Sequence, residues 1–495
     1  MQHHSDMAAQ ITSTLEAVTA RLLWWAQPWT AHLSRLAVLR ILARITTGSL
    51  LVIDESRATK HVFGHSPLTG EDHEAAGGAS VPPSLHVELV VKSEAFWSRL
   101  LFLADIGFAE CYMLGDVECN DLTAFFQVCA PIVHPMLSRI HIYSPCPCQL
   151  FISNRAELGN GETVFSMLPS AIATIGRPTN SRATSLLNTA AHYDISNDMF
   201  AAFLSKDMTY SCPIWRTAPA REPRGEVESL QDAQHRKLQR FIQGARIAAS
   251  DHVLEIGTGW GSFAIEAVKQ TGCRITSITL SRRQKELAER RVKLAGLAHR
   301  IEVKFMDYRD LPTPEKPFDK IISIEMIEAV GKAHLAEYFA AIHTLLNPDT
   351  GIAMFQCITI PEALHAAGDG KSGFIDRYIF PGGYLPSTTE LVNHITMQSK
   401  GTLVVESIEN IGAHYARALR LWREKFITEF DSTISPTMQH HRSSPTSHEA
   451  SEVFRRKWEY YFSYCEAGFL TRTLGDVIIT VGRVGAMELA EGIPL

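Results

Sequence analysis

The sequence predicts an α/β protein built on a seven-stranded, mostly parallel sheet, preceded by a small α+β unit. Three observations predict it. Short apolar runs alternate with helical segments from residue 252 onward. The first of these runs ends in a glycine-rich turn. The rhythm before residue 144 is of another kind.

The runs HVLEI (252–256), CRITSITL (273–280), IEVKF (301–305), FDKIISI (318–324) and GIAMFQCITI (351–360) are of strand type. Helical patterns at 261–270, 282–296 and 333–346 alternate with them. Such alternation predicts a parallel sheet with helices on both faces, a Rossmann-like arrangement. TLVVESIEN (402–410) and DVIITVGRV (476–484) read as two further strands, giving seven. Residues 431–450 are polar and rich in Pro and Ser, and read as a mobile insertion.

Ahead of the sheet, residues 1–28 read as a flexible tail and 29–143 as a separate domain. Residues 30–46 have an amphipathic helical pattern with Arg on one side, fitting either a packed helix or one lying on a membrane surface. SLLVID (49–54) and HVELVV (86–91) are strand-like, 64–84 a loop, and 93–103 and 121–130 helical. Residues 144–185 cluster Pro, Gly, Asn and Ser and read as a linker, which leaves 186–495 for the sheet-bearing domain.

Composition narrows the function. The 495 residues carry 47 Lys+Arg against 53 Asp+Glu, a net charge of −6, so no global basic field recruits nucleic acid. Nine cysteines show no metal-type repeat, and Cys146-Pro-Cys148 is tighter than a Cys-x-x-Cys pair. Reduced thiols in an intracellular, cytoplasmic protein are expected. Residues 33–53 come closest to a membrane span, but Arg35, Arg40 and Arg44 interrupt them. A lipid would be handled from the membrane surface.

HVLEIGTGWGSF places Gly257, Gly259 and Gly261 between a strand and a helix. The spacing is G-x-G-x-G rather than the dinucleotide G-x-G-x-x-G, and no Walker lysine follows. A ligand without pyrophosphate, such as S-adenosylmethionine, suits the loop. Glu255 fits a carboxylate near the amino acid end of that ligand, and Thr279 and Gln284 are the polar candidates after the second strand. Asp307, after the third, either reaches an adenine amine or caps a helix. Tyr210, Ser211 and Tyr308 complete the candidate cofactor-binding set.

At several further places the sequence resembles the cyclopropane-fatty-acyl-phospholipid synthases and the related mycolic acid cyclopropane synthases, in their plant- and fungal-type form. The stretches are AAHYDISNDMF (190–200), MTYSCPIW (208–215), VLEIGTGWGSFAI (253–265), SIEMIEAVG (323–331), FIDRYIFPGGYLPS (374–387), ENIGAHYARALRLWREKF (409–426) and KWEYYFSYCEAGFLTRTLGD (457–476), in family order. Residues 89–126 resemble the N-terminal domain of the phospholipid enzymes.

The resemblance implies a class I S-adenosylmethionine-dependent methyltransferase. It implies methyl transfer to a cis double bond of an unsaturated phospholipid chain, ring closure to a cyclopropane, and a bound bicarbonate as base. Glu328, Gln356, Cys212, Tyr415 and the backbone amide of Ile358 are its implied ligands. The N-terminal domain is expected to bind lipid or to form a homodimer. Two positions depart from the bacterial pattern: Ala329 and Gln356 stand where those enzymes have His, and replacing Gln356 by His is expected to be tolerated. Other readings stay open. Glu328 pairs with Lys332 in one of them, and the product in another is a methyl-branched lipid, sphingoid or otherwise. A non-catalytic lipid-binding homologue is a third.

The chemistry is coherent. An alkene has no acidic proton, so no Ser/His/Asp arrangement would activate it, and Cys212 is not expected to act as a nucleophile. The protein must instead align electrophile and alkene, exclude water and stabilise a carbocation. The aromatic residues Phe374, Tyr378, Phe380, Tyr384, Phe454, Trp458, Tyr460, Tyr461 and Phe462 fit core packing for the most part, with a few free to line an acyl tunnel.

Overall fold

The computed structural model describes residues 31–45, 48–64, 86–128, 196–217, 228–312, 314–367, 373–440 and 447–491. The sequence-predicted tail 1–28, the linker 144–185, Cys146 and Cys148 lie outside the described residues. The chain divides into two units.

The first unit holds a four-stranded sheet of order β2-β1-β3-β4, with β1 at Ser49–Asp54, β2 at Thr59–Gly64, β3 at His86–Val91 and β4 at Val117–Cys119. β1 runs antiparallel to β2 and parallel to β3. The two predicted strands stand at their expected residues. β2 was hidden by its alternation of half-buried and exposed positions, and β4 by its length of three residues. The helix over 31–42 belongs to the first unit: Arg35 donates to the fully buried Asp54 at 2.9 Å, while Leu33 and Leu36 on the same helix are exposed. Helix Ala95–Leu114 extends eleven residues past the expected end at 103, with a break at Ala104 (φ 49°, ψ −120°).

This unit also takes in Gly370–Ile379 and Thr446–Ala467 from the far end of the chain, so the expected continuous domain over 186–495 is in fact interrupted twice. The reason is aromatic packing. Tyr460 lies 5.2 Å from Phe126 and 4.5 Å from Phe374, ring to ring, and Tyr378 donates to Glu110 at 2.8 Å. The expected insertion over 431–450 is corrected as well. Phe430–Ile434 forms a π-helical turn with Phe430 and Ile434 buried, Ser435–His440 is helical, and helix His448–Leu470 begins soon after. Two apolar anchors among polar residues hold the turn down. Residues 441–446 lie outside the description.

The second unit carries the seven-stranded sheet, order β10-β11-β9-β8-β5-β6-β7. Its strands are β5 (His252–Ile256), β6 (Arg274–Thr279), β7 (Ile301–Phe305), β8 (Lys320–Ile324), β9 (Ile352–Thr359), β10 (Leu403–Asn410) and β11 (Gly475–Arg483). β11 alone runs against its neighbours, antiparallel to both β9 and β10. All seven predicted strands appear. Leu254, Ile321 and Ala353 are wholly buried in the cluster under the sheet, beside Phe355 and Val481. Helices Ser262–Thr271, Arg282–Leu294 and Leu335–Leu345 are the expected ones within a few residues. Ser281 caps the second of these by accepting from the Gln284 amide at 3.2 Å, a cap that contributes about 1 kcal/mol.

Register positions the site. Ile324, the last residue of β8, pairs with Gln356, and Ile358 pairs with Asp476 across β9 and β11. Side chains alternate along a strand and cross-strand partners share a face. Gln356, Ile358 and Asp476 therefore project on one side, beside the chain as it leaves β8.

Candidate active site

A cavity of about 590 Å³ opens at the carboxyl ends of β5, β6 and β8. In open α/β sheets, ligands bind at this edge. Gly257 and Gly259 both have positive φ, 99° and 50°. A Cβ at Gly257 would press on Met326 at 3.3 Å, whereas one at Gly259 would meet nothing within 4 Å of protein. The first glycine is needed for its turn and close packing; the second leaves its backbone open to a ligand. Gly261 then starts helix Ser262–Thr271.

Every candidate cofactor residue except Gly261 lines this cavity: Tyr210, Ser211, Glu255, Gly257, Gly259, Thr279, Gln284, Asp307 and Tyr308. Thr279 donates to Gln284 Oε1 at 2.9 Å, which leaves the Gln284 amide nitrogen as a donor. Glu255 is buried, accepts from Ser277, and is pushed up to about 8 by burial. Asp307 does cap: it accepts from the Arg309 amide at 2.9 Å and holds the Arg309 guanidinium at 2.7 Å, which keeps its carboxyl below the usual range. Phe380 is the one residue of the aromatic set on the cavity wall; Phe374, Phe454, Trp458, Tyr460 and Phe462 are core.

Beside the cavity, four of the predicted catalytic residues, Cys212, Gln356, Tyr415 and Ile358, converge on two carboxylates, Glu325 and the fifth predicted residue, Glu328. Glu325 leaves β8 at φ 48°, an uncommon conformation for a side-chain-bearing residue. Its Oε1 accepts from the Cys212 amide at 2.7 Å and from Gln356 Nε2 at 2.7 Å, and its Oε2 from the Tyr415 hydroxyl at 2.7 Å. The same Gln356 nitrogen donates to Asp476 Oδ2 at 2.8 Å. Glu328 Oε1 accepts from the Ile358 amide at 2.6 Å, and its Oε2 is buried with no partner among the described residues.

Sequence reasoning missed Glu325 and Asp476. The first stands immediately after a strand at the ligand edge, and the second is an acid opening an apolar run; both are visible signals. Their protonation is coupled. Burial raises Glu325, but the Cys212 amide, Asp476 and Tyr415 all hydrogen-bond to its charged form and hold that rise down. Burial, then the charge and hydrogen bond of Glu325, drives Asp476 well above the carboxylate range. Both carboxyl groups are raised, Asp476 further than Glu325. Glu328 is pushed up to about 8, by burial first and the Glu325 charge second. The Cys212 thiol is raised well above its ordinary value by burial, so sulfur is protonated, and the backbone amide is the atom that meets Glu325.

A family model described as mycolic acid cyclopropane synthetase matches residues 180–478. The tuberculostearic acid methyltransferase UfaA1 of Mycobacterium tuberculosis is 36% identical over 434 residues, covering 87% of this chain and 91% of that protein. The chain belongs to the mycolic acid cyclopropane synthetase family. The family is one of S-adenosylmethionine-dependent lipid methyltransferases. The cyclopropane-fatty-acyl-phospholipid synthase of Escherichia coli is 28% identical, covering 84% of this chain and 93% of that one. Among solved structures, the cyclopropane synthase MmaA2 of Mycobacterium tuberculosis is 24% identical, spans 62% of this chain and all of its own, and has a TM-score of 0.49.

The family resemblance implied bicarbonate as base, and the residues present do not fit it. The Cys212 amide, Gln356 and Tyr415 already hold the carboxylate of Glu325. A second anion there would be desolvated against Glu325 with its donors engaged. Three of the implied ligands, the Cys212 amide, Gln356 and Tyr415, surround the Glu325 carboxylate, while the Ile358 amide holds Glu328.

Proposed function

We propose that this protein transfers the methyl group of S-adenosylmethionine to a cis double bond in an unsaturated phospholipid acyl chain and closes a cyclopropane ring, with Glu325 as proton acceptor. The observation that carries the proposal is the Glu325 carboxylate, held by three donors at the inner end of a cavity built behind the glycine loop.

S-adenosylmethionine supplies an electrophilic methyl on a cationic sulfur. The glycine loop, Tyr210, Ser211 and Gln284 hold it against the strand ends, and the half-exposed Phe380 helps to close the cavity to water. When one olefinic carbon takes the methyl, its neighbour becomes cationic. The Glu325 charge stabilises that cation. Glu325 then takes a proton from the new methyl group, and the C–H electron pair bonds to the cationic carbon, closing the ring. Asp476, raised further than Glu325, holds its own proton more tightly, and Gln356 donates to both carboxyl groups from one nitrogen.

A second reading is favoured by one observation, the 36% identity to a tuberculostearic acid methyltransferase: the same first step, ending in a methyl-branched chain. In either case the acyl chain is drawn from a membrane surface, with the first unit as the membrane-binding or dimerising element. No described helix is long and apolar enough to cross a membrane. The test is proton NMR of lipids recovered after incubating protein, S-adenosylmethionine and vesicles of a cis-monounsaturated phosphatidylglycerol. A shielded ring-methylene signal with loss of olefinic protons supports ring closure; a new methyl or methylene with no ring signal selects the branched product. Unchanged lipid with cofactor bound counts against both.

A further inference from the structure

Two of the donors to Glu325, the Cys212 amide and the Tyr415 hydroxyl, come from segments far apart in sequence. Both meet the carboxylate at 2.7 Å, which requires the segments to be locked to each other. The lock is a clasp beside the donors. Trp215, on the Cys212 segment, donates its backbone N–H to His414 Nδ1 at 3.0 Å and its indole N–H to the His414 carbonyl at 2.9 Å. His414 is the residue before Tyr415, in the first turn of helix Gly412–Thr428. Trp215 is buried, and the Arg417 guanidinium of the same helix lies 4.0 Å from its ring centroid. From the other side, helix Leu230–Gly244 holds the Cys212 segment: Gln234 donates to the Ser211 carbonyl and Arg236 to the Ile214 carbonyl, each at 2.8 Å.

The clasp fixes the tautomer of His414. A backbone N–H only donates, so Nδ1 must present its lone pair and the ring proton sits on Nε2. An imidazolium has no lone pair and would release Trp215. The surroundings favour the neutral ring. The first turn of a helix disfavours a cation. Burial lowers the proton affinity of His414 and Arg236 acts in the same direction, against Glu409 and Glu228.

We propose that His414 is a positioning residue: by accepting from the Trp215 amide it sets the Cys212 amide and the Tyr415 hydroxyl at their common distance from Glu325. The inference rests on the reading of Glu325 as proton acceptor. Among the described residues, neither His414 nor Trp215 lines the cavity, so both act through the two donors.

Steady-state kinetics on His414→Ala and His414→Asn, in the native and the Tyr415→Phe backgrounds, tests it, with thermal unfolding as the control for folding. The Asn side chain puts a carbonyl oxygen near the place of Nδ1, so it keeps an acceptor for Trp215. His414→Ala is expected to lower kcat about 10-fold while KM for S-adenosylmethionine changes by less than about 2-fold. His414→Asn is expected to recover kcat to within about 3-fold of native. In the Tyr415→Phe background one of the two positioned donors is already gone, and His414→Ala should cost less than about 3-fold. A native kcat in His414→Ala overturns the inference. So does an Asn variant as slow as the Ala variant, or an undiminished cost in the Tyr415→Phe background. Glu325→Gly at the native rate would overturn the base reading and the inference with it, whereas a slow Glu325→Gly beside an unaffected His414→Ala overturns the inference alone.

Discussion

Tyr415 donates its hydroxyl proton to Glu325 at 2.7 Å from a ring stacked on Phe469, with centroids 4.6 Å apart. The stack fixes the ring independently of the hydrogen bond. Tyr415→Phe is therefore expected to fold normally. Removing a donor to a buried charge costs about 1.5–3 kcal/mol, which corresponds to a 10- to 100-fold loss in kcat. Turnover kinetics with thermal unfolding as control would check this. A native rate in the variant would show that Tyr415 only packs.

A hydrogen bond from Asp476 holds the Glu325 rise down, and Asp476 itself is raised well above the carboxylate range. Asp476→Ala removes that donor, so Glu325 ionises at higher pH and the acid limb of the kcat profile moves upward. Asp476→Asn retains an N–H donor, and its acid limb should stay close to the native one. Identical profiles in all three proteins would exclude Asp476 from the proton inventory.

Gln356 gives both carboxylates a hydrogen bond from one nitrogen. An imidazole nitrogen carries a single proton. Gln356→His, expected from the resemblance to be tolerated, is now expected to lose one of the two bonds and at least 10-fold in kcat. Native activity in that variant would show that the pair of bonds has no catalytic weight.

Glu255 is pushed up to about 8 in the folded protein by burial, against about 4.3 in an unfolded chain. Between those values the folded state binds the extra proton, so this group's contribution to stability is present at low pH and declines as pH rises toward 8. Ligand-free protein should lose several degrees in Tm between pH 5 and 8, and Glu255→Gln should flatten that slope. An unchanged slope would assign the pH dependence to other groups.

The strands of the sheet were legible because they are apolar runs separated by helical periodicity; their order and register were not. The first unit was legible only in part. β2 is half solvated and short of apolar residues, and helix His448–Leu470, whose Tyr460 packs on Phe126, comes from hundreds of residues away in sequence. Tertiary aromatic packing around Tyr460 decided that boundary, and no local pattern announces it. In the site, the donors were legible from motifs: Cys212, Gln356, Ile358 and Tyr415. Their acceptor, Glu325, stood in view directly after a strand at the ligand edge, but the left-handed backbone conformation that turns it toward the donors is not revealed by spacing.

The central claim is that Glu325 is the resident base, and bicarbonate dependence tests it most directly. Turnover would be measured in carbonate-depleted buffer with and without added bicarbonate, for the native protein and for Glu325→Gly, a substitution the positive φ accommodates without strain. The native rate is expected to be indifferent to bicarbonate. Glu325→Gly is expected to be at least 100-fold slower, and to recover in part when formate or bicarbonate can enter the vacated donor set. A native enzyme that stops on carbonate depletion and restarts on its return would contradict the assignment.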